Sequence, residues 1–182
     1  MQGSLLALAF KIPGFWRVEI GLNGQLNQIP MPQSLSQIYI HLVFSSKDRS
    51  PWLCDSDLRC QLHAYMGKIL RDTVDSPALT IESVEDHLHA LIRLSRRFAV
   101  MQVVQECKVE TSKWLKRQTV VSTNFAWQGG YGAFSVSASM VDQVKKYIQN
   151  QEVHHQRVSF KDEFRELCRR HGLKVDERYV WN

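Results

Sequence analysis

Two histidines separated by one residue, His87-Leu88-His89, are the chain's first candidates for chemistry, because they fall in a stretch, Ile81 to Leu94, whose alternation reads as β-strand. With a side-chain period of two, His87, His89, Leu91 and Arg93 share one face, and Leu88, Ala90, Ile92 and Leu94 share the other. Two imidazoles projecting side by side from a rigid strand make the start of a metal site. Tyr147 and Gln151 stand four residues apart in a helical pattern, so they also share a face. Paired histidines for a metal, with a tyrosine hydroxyl on a facing helix, suit a nuclease that attacks phosphate through tyrosine.

Each of these residues also has a plainer reading. A His-x-His pair fits two surface histidines on the solvated face of a hairpin. Asp86 could orient the pair or add a ligand, but the alternation puts Glu85 on the histidine face and Asp86 opposite, so that role requires a twist or a strand end. Tyr147 sits at the edge of a Val144/Ile148 stripe, where a tyrosine ordinarily packs its ring and wets its hydroxyl. As a nucleophile, its phenol, with a pKa near about 10, needs help to lose a proton. Gln151 offers a neutral amide oxygen to a metal, or simply lies on a polar helix surface. His154-His155 closes a helix, where the negative dipole end accounts for it without a metal. Gly129-Gly130-Tyr131-Gly132 lacks the P-loop pattern and suits a kinked or bulged strand.

The elements that must position these side chains follow from periodicity. Ile38, Ile40, Leu42 and Phe44 alternate with Tyr39, His41 and Val43, which predicts a strand ending in the polar turn Ser45 to Arg49. Asp55 or Ser56 caps a helix to about Asp72. Leu79-Thr80-Ile81 and the histidine strand form a hairpin. A helix follows from Val100 to about Gln118, then a strand with a kink from Phe125 to Val136. A third helix runs from Met140 to about His154, and a short fourth from Phe160 to His171. The order β-α-β-β-α-β followed by helices is that of the ferredoxin-like, RRM-like α+β fold, an antiparallel sheet with helices on one face and the tyrosine helix after it.

The chain has 182 residues, 44% of them hydrophobic, which suits one domain with a real core. Residues 1–30 differ in texture: they hold four of the nine glycines and few charges, and Met31 opens the clear periodicity. They are expected to be a flexible extension or to lie upstream of a natural start, leaving 31–182 as the single functional domain. The net charge of +5 is matched by the stretch from Arg93 to Gln118 alone, where seven basic residues face Glu106 and Glu110. Such a stripe can track a phosphate backbone or simply solubilise a helix. Cys54, Cys60, Cys107 and Cys168 show no Cys-x-x-Cys spacing and read as reduced thiols. With no apolar run of about 18 residues and no convincing signal peptide, the expected compartment is the cytoplasm, with no membrane partner.

Residues from about Met31 to Asn182 resemble the single-tyrosine HUH transposases of the insertion sequence 200/605 type. The resemblance rests on four stretches in order: Gln37 to Lys47 (QIYIHLVFSSK), Val84 to His89 (VEDHLH), Phe125 to Ser137 (FAWQGGYGAFSVS), and the run from Tyr147 to His155. It implies that His87 and His89 bind Mg²⁺ or Mn²⁺ with Gln151 as third ligand, and that Tyr147 attacks DNA to give a 5′-phosphotyrosine and a free 3′-hydroxyl. It implies single-stranded DNA with hairpins as substrate. It also implies a homodimer in which the tyrosine helix can complete the partner's site. Lys47, Arg49, Lys108, Lys113, Lys116 and Arg117 are the candidate DNA contacts. Two alternatives stand beside this: a domesticated relative acting on repeated palindromes, and a non-catalytic nucleic-acid-binding module on the same sheet.

Overall fold

The computed structural model describes residues 18–20, 26–28, 35–118, 121, 123–178 and 180–181. The chain divides into two units, Met1–Ser36 and Gln37–Asn182. In the first, strands β1 (Val18–Ile20) and β2 (Leu26–Gln28) pair antiparallel. The boundary expected at residue 30 lies outside the described residues.

The second unit runs β3 (Ile38–Ser45), α1 (Ser56–Asp72), β4 (Ala78–Ser83), β5 (His87–Leu94), α2 (Val100–Leu115), β6 (Gly132–Val136), α3 (Val141–Gln149), α4 (Gln151–His155) and α5 (Phe160–Arg170). Its four strands lie in the order β4-β5-β3-β6, every neighbouring pair antiparallel. This is the split βαβ arrangement expected from the element order. The two central strands are β3 and β5, in a register that sets Val43 opposite His89 and Ser45 opposite His87.

The period of two divides the sheet chemically. Ile40, Leu42 and Phe44 of β3 and Leu88, Ala90 and Ile92 of β5 point to one face and form the main core with α1 and α2. α1 begins where expected, Asp55 accepting the backbone N–H of Leu58 at 2.9 Å, and it buries Leu58, Leu62, Met66, Ile69 and Leu70. α2 buries Val103, Val104, Cys107, Thr111 and Leu115. On the opposite face Val43 and Phe134 pack with Phe160, Phe164 and Cys168 of α5, and α3 crosses β4 and β5. The C-terminal helices therefore cover the face that carries the histidines. All four cysteines are free.

Two elements differ from expectation. Only Gly132–Val136 of the strand expected from Phe125 is strand. Phe125 and Trp127 instead turn into the main core, edge-on to each other and with Trp127 edge-on to Phe44. The carbonyls of Gln128 and Gly130 accept hydrogen bonds from Lys108 Nζ rather than from a strand. The third helix is also interrupted. A 3-10 turn, Ala138–Met140, precedes α3, and Asn150 (φ −101°, ψ 18°) separates α3 from α4, its side-chain amide donating back to the Lys146 carbonyl. Asparagine competes for backbone hydrogen bonds and so favours such breaks.

Gly132 marks where α5 meets the sheet. A Cβ there would lie 2.8 Å from ring atoms of both Phe134 and Phe164, so backbone and aromatic rings approach too closely for any side chain. Gly132→Ala is expected to overpack this seam and lower stability by about 1–3 kcal/mol, measured as a fall in the urea midpoint at constant slope; an unchanged midpoint would show that α5 is not seated there.

Candidate functional site

β5 begins at His87, and that strand end decides where Asp86 points. Val84 to Asp86 form the turn between β4 and β5, so Asp86 escapes the alternation. Its Oδ1 lies 2.6 Å from His87 Nδ1. A carboxylate beside Nδ1 takes its hydrogen and turns the Nε2 lone pair inward. Two residues on, His89 places Nδ1 2.9 Å from Nε2 of His41, a histidine on β3 that sequence reasoning treated only as a strand residue. His87 is 1% exposed and His89 0%, which excludes the reading of two solvated surface histidines.

The covering helices bring four further groups. Tyr147, on α3, stands with its ring 6.3 Å from that of His89 and 6.2 Å from that of His41. Its hydroxyl donates to Oε1 of Glu163, on α5. Gln151, the first residue of α4, is buried and donates its amide to the same Oε1 at 3.0 Å. His155, at the end of α4, donates or accepts at Nδ1 with the Val158 carbonyl at 2.9 Å; a carbonyl only accepts, so Nδ1 carries the hydrogen. Its Nε2 then faces His87 Nε2 at 2.8 Å and Glu163 Oε2 at 3.1 Å.

Electrostatics follow from this burial. His41 is lowered from 6.5 to about 3, by burial first and then by His89. His87 is lowered to about 4, burial outweighing the hydrogen bond to Asp86. Burial also pushes the Glu163 carboxyl up, but the contacts from His155, His89 and Tyr147 outweigh it and hold it below the ordinary carboxylate range. Burial and the adjacent Glu163 charge push the Tyr147 phenol above its ordinary value. In this arrangement the tyrosine is held protonated.

The Nε2 atoms of His87, His89 and His155 and an oxygen of Glu163 all lie within 4.8 Å of one another. His89 Nε2, Gln151 Oε1 and Glu163 Oε2 are buried without a hydrogen-bond partner. His154 Nε2 is likewise unpartnered, and of these atoms His89 Nε2 and Glu163 Oε2 lie 3.4 Å apart, a buried pair that costs free energy unless a cation meets it. The donor set therefore fits a divalent metal.

The structure thus brings together His87, His89, Tyr147 and Gln151, sets Asp86 behind His87 in the orienting role that required a strand end, and adds His155 and Glu163. The basic candidates are dispersed. Arg49 lines a cleft of about 620 Å³ with Asp86, His87, His155 and Phe160. Its backbone, like that of Asp48, has a positive φ (53° and 56°), a conformation uncommon outside glycine. Lys47, on the same turn, is exposed. Lys108 is committed to the Gln128 and Gly130 carbonyls, and burial lowers its pKa to about 8. Lys113 pairs with Glu110 at 2.6 Å, and Lys116 and Arg117 are exposed at the end of α2, across the sheet from the histidines.

Fold and site together define an α+β protein whose sheet carries a histidine-rich polar centre beneath a tyrosine helix. The chain belongs to the IS200-like transposase family, whose model matches residues 34–151. Among solved structures it is similar to a REP-associated tyrosine transposase bound to a REP hairpin, at 15% identity over 72% of this chain and 76% of that one, with a TM-score of 0.50, a likeness of fold. A candidate transposase from Deinococcus radiodurans R1 aligns at 19% identity over 68% of this chain and 98% of that one, with a TM-score of 0.49. No curated relative matches the chain. His155 and Glu163 lie beyond the family-matched stretch.

The buried histidines fix the sign of the pH response. A histidine whose folded pKa is depressed is neutral in the folded state and protonates first when unfolded, so its contribution is complete above about 6.5 and is lost as pH falls toward the folded value. His41, His87 and His63 (lowered to about 4, chiefly by burial) all act this way, and the depressed Glu163 acts in the same sense only below its ordinary value of 4.5. His155, raised by Glu163 against the effect of burial, acts in the opposite sense. Stability should fall steeply between pH 6.5 and 4, with each histidine contributing on the order of 3 kcal/mol at most. Urea unfolding across that range checks it, and His63→Asn should flatten the slope.

Proposed function

We propose that this transposase cleaves and rejoins single-stranded DNA at hairpin-marked ends, with Tyr147 as nucleophile and His87, His89 and Gln151 as ligands of Mg²⁺ or Mn²⁺. The observation that carries the reading is the meeting of the Tyr147 hydroxyl, the Gln151 amide and the buried His-x-His pair around one carboxylate. When bound, the cation supplies Lewis-acid polarisation of the scissile phosphate.

The remaining chemistry belongs to the chain. Tyr147 Oη, whose proton is aimed at Glu163 Oε1, attacks phosphorus. The P–O3′ bond breaks, the phenol proton passes by way of Glu163 Oε1 and solvent to the departing 3′-oxygen, and Tyr147 carries the DNA as a 5′-phosphotyrosine. Attack by another 3′-hydroxyl on that phosphotyrosine restores Tyr147 and joins the new end. The phosphodiester bond energy is conserved, so joining needs no ATP. Asp86 and His41 fix the two imidazoles through their outer nitrogens. Tyr147 stands over its own chain's histidines, which favours cleavage in cis even within a homodimer.

Substrate DNA enters from the Arg49 side, where the cleft opens on His87. Lys47 extends that approach, while Lys116 and Arg117 suit strand contacts on the other face. The domesticated reading shares this chemistry and differs in the DNA served; the REP hairpin held by the similarly folded protein favours keeping it. Palindromic repeats scattered in the genome, without element ends flanking the gene, would select it.

Incubation with labelled single-stranded oligonucleotides from the gene's flanks, then a denaturing gel, tests the proposal. A metal-dependent covalent band is expected, absent in Tyr147→Phe and reduced at least 100-fold in His87→Ala. Hairpin binding with no adduct would leave a binding module. Mixing Tyr147→Phe with His87→Ala should restore nothing if the site works in cis; restored cleavage would establish completion in trans. Arg49→Ala should weaken binding to all sequences alike and reduce the salt slope by about 1.

A further inference from the structure

Three imidazoles in this site are oriented by their outer nitrogens, and the third is not part of the family-matched stretch. His87 Nδ1 is held by Asp86, His89 Nδ1 by His41 Nε2, and His155 Nδ1 by the Val158 carbonyl. The Asp86 carboxylate and the Val158 carbonyl only accept, which places the hydrogens of His87 and His155 on Nδ1, and His41 holds the outer nitrogen of His89. With the hydrogens so placed, the Nε2 lone pairs of His87 and His155 converge, and the buried, unpartnered Nε2 of His89 faces the same carboxylate. His87 Nε2 and His155 Nε2 are 2.8 Å apart, and Glu163 Oε2 lies 3.1 Å from His155 Nε2, 3.4 Å from His89 Nε2 and 3.9 Å from His87 Nε2. Lone pairs held so close repel unless positive charge lies among them. Donors around a cation with bonds of about 2.0–2.2 Å are separated by roughly 3.0–3.5 Å, the scale of this cluster.

We propose that His155 and Glu163 complete the donor set of the His87/His89 site, making it a centre for a divalent transition cation such as Zn²⁺ or Mn²⁺ in preference to Mg²⁺. This rests on the metal-assisted reading above and deepens it. Magnesium prefers oxygen ligands and retained water, whereas a site with three imidazoles and one carboxylate favours a borderline cation. Glu163 is 3% exposed, and Gln151 Nε2 and the Tyr147 hydroxyl hold its other oxygen, so the carboxylate is fixed with Oε2 toward the cluster. The same carboxylate couples the nucleophile to the cation site, and α5 belongs to the active centre as much as to the fold.

Calorimetric titration of chelator-treated full-length protein with Zn²⁺, Mn²⁺ and Mg²⁺, without DNA, tests this. One equivalent of Zn²⁺ or Mn²⁺ is expected to bind at least 100-fold more tightly than Mg²⁺. Glu163→Gln and His155→Asn should each weaken that binding 10-fold or more, and His63→Asn, at a histidine bonded to Ser83 instead, should not. Circular dichroism of each variant confirms that it is folded; should Glu163→Gln fail to fold, His155→Asn carries the test. Wild-type binding by both variants, or equal affinity for Mg²⁺, overturns the proposal. The Tyr147 adduct assay separates this from the wider reading. Adducts formed with Mg²⁺ and unaffected by His155→Asn would retain the transposition chemistry and discard the extended donor set. Titrations dependent on Glu163 and His155 without any adduct would do the reverse.

Discussion

One buried carboxylate organises the histidine face of this protein. An ionised glutamate with almost no solvent exposure is tolerable only if its partners replace water on both oxygens. For Glu163, Tyr147 from α3 and Gln151 from α4 donate to Oε1, while Oε2 faces His155 of α4 and His89 of β5 with no donor of its own among the described residues. The apolar contacts of Phe160 and Phe164 with Val43 and Phe134 hold α5 on the sheet. They leave open which way its polar edge turns. Glu163 settles that, and with it the height of the tyrosine above the histidines.

The sheet separates stability from chemistry by its pleat. β3 and β5 give their even-numbered side chains, from Ile40 to Phe44 and from Leu88 to Ile92, to an apolar core under α1 and α2. Their odd-numbered positions carry His41, His87 and His89 to the opposite face. Because β3 and β5 are the central strands, with a partner on each side, the imidazoles sit on backbone hydrogen-bonded along both edges. Three buried histidines beside a glutamate are a poor choice for stability alone. Local violation of packing logic on a rigid frame is where function is expected to be found.

Much of this was legible in the chain. Alternation placed the strands and assigned His87 and His89 to one face, and Asp55 marked the start of α1 correctly. What escaped was set by contacts between distant segments. Glu163 reads locally as an ordinary acidic residue in the first turn of α5, favourable there to the helix dipole. His155 reads as a cation suited to a helix C-terminus, an account that is true of its position and silent about His87, 68 residues away. The helical spacing of Tyr147 and Gln151 gave the right pairing on an incomplete premise. Asn150 breaks the helix between them, and they meet at Glu163 because α3 and α4 both pack over the same carboxylate. Asp86 was weighed and depended on a strand end that periodicity could not date to a single residue; the turn before His87 supplies it.

The charge balance of the centre also constrains how a phosphate can enter. The chain carries +5 overall, yet the groups nearest Tyr147 are buried imidazoles and a carboxylate held below its ordinary range, with Asp86 behind His87. A phosphodiester brought to about 4 Å from Glu163 would meet a repulsion of about 4 kcal/mol at an effective dielectric of 20, enough to offset several surface lysine contacts. Basic residues on the turn after β3 can draw DNA to the cleft but cannot cancel a charge fixed inside it. The same carboxylate keeps the Tyr147 phenol protonated. On the proposed reading, both features, an anion that would repel a phosphate and a phenol held protonated, share one remedy: positive charge among the Nε2 and Oε2 atoms of the cluster. The proposed cation would meet the buried donors and offset the carboxylate at the same point.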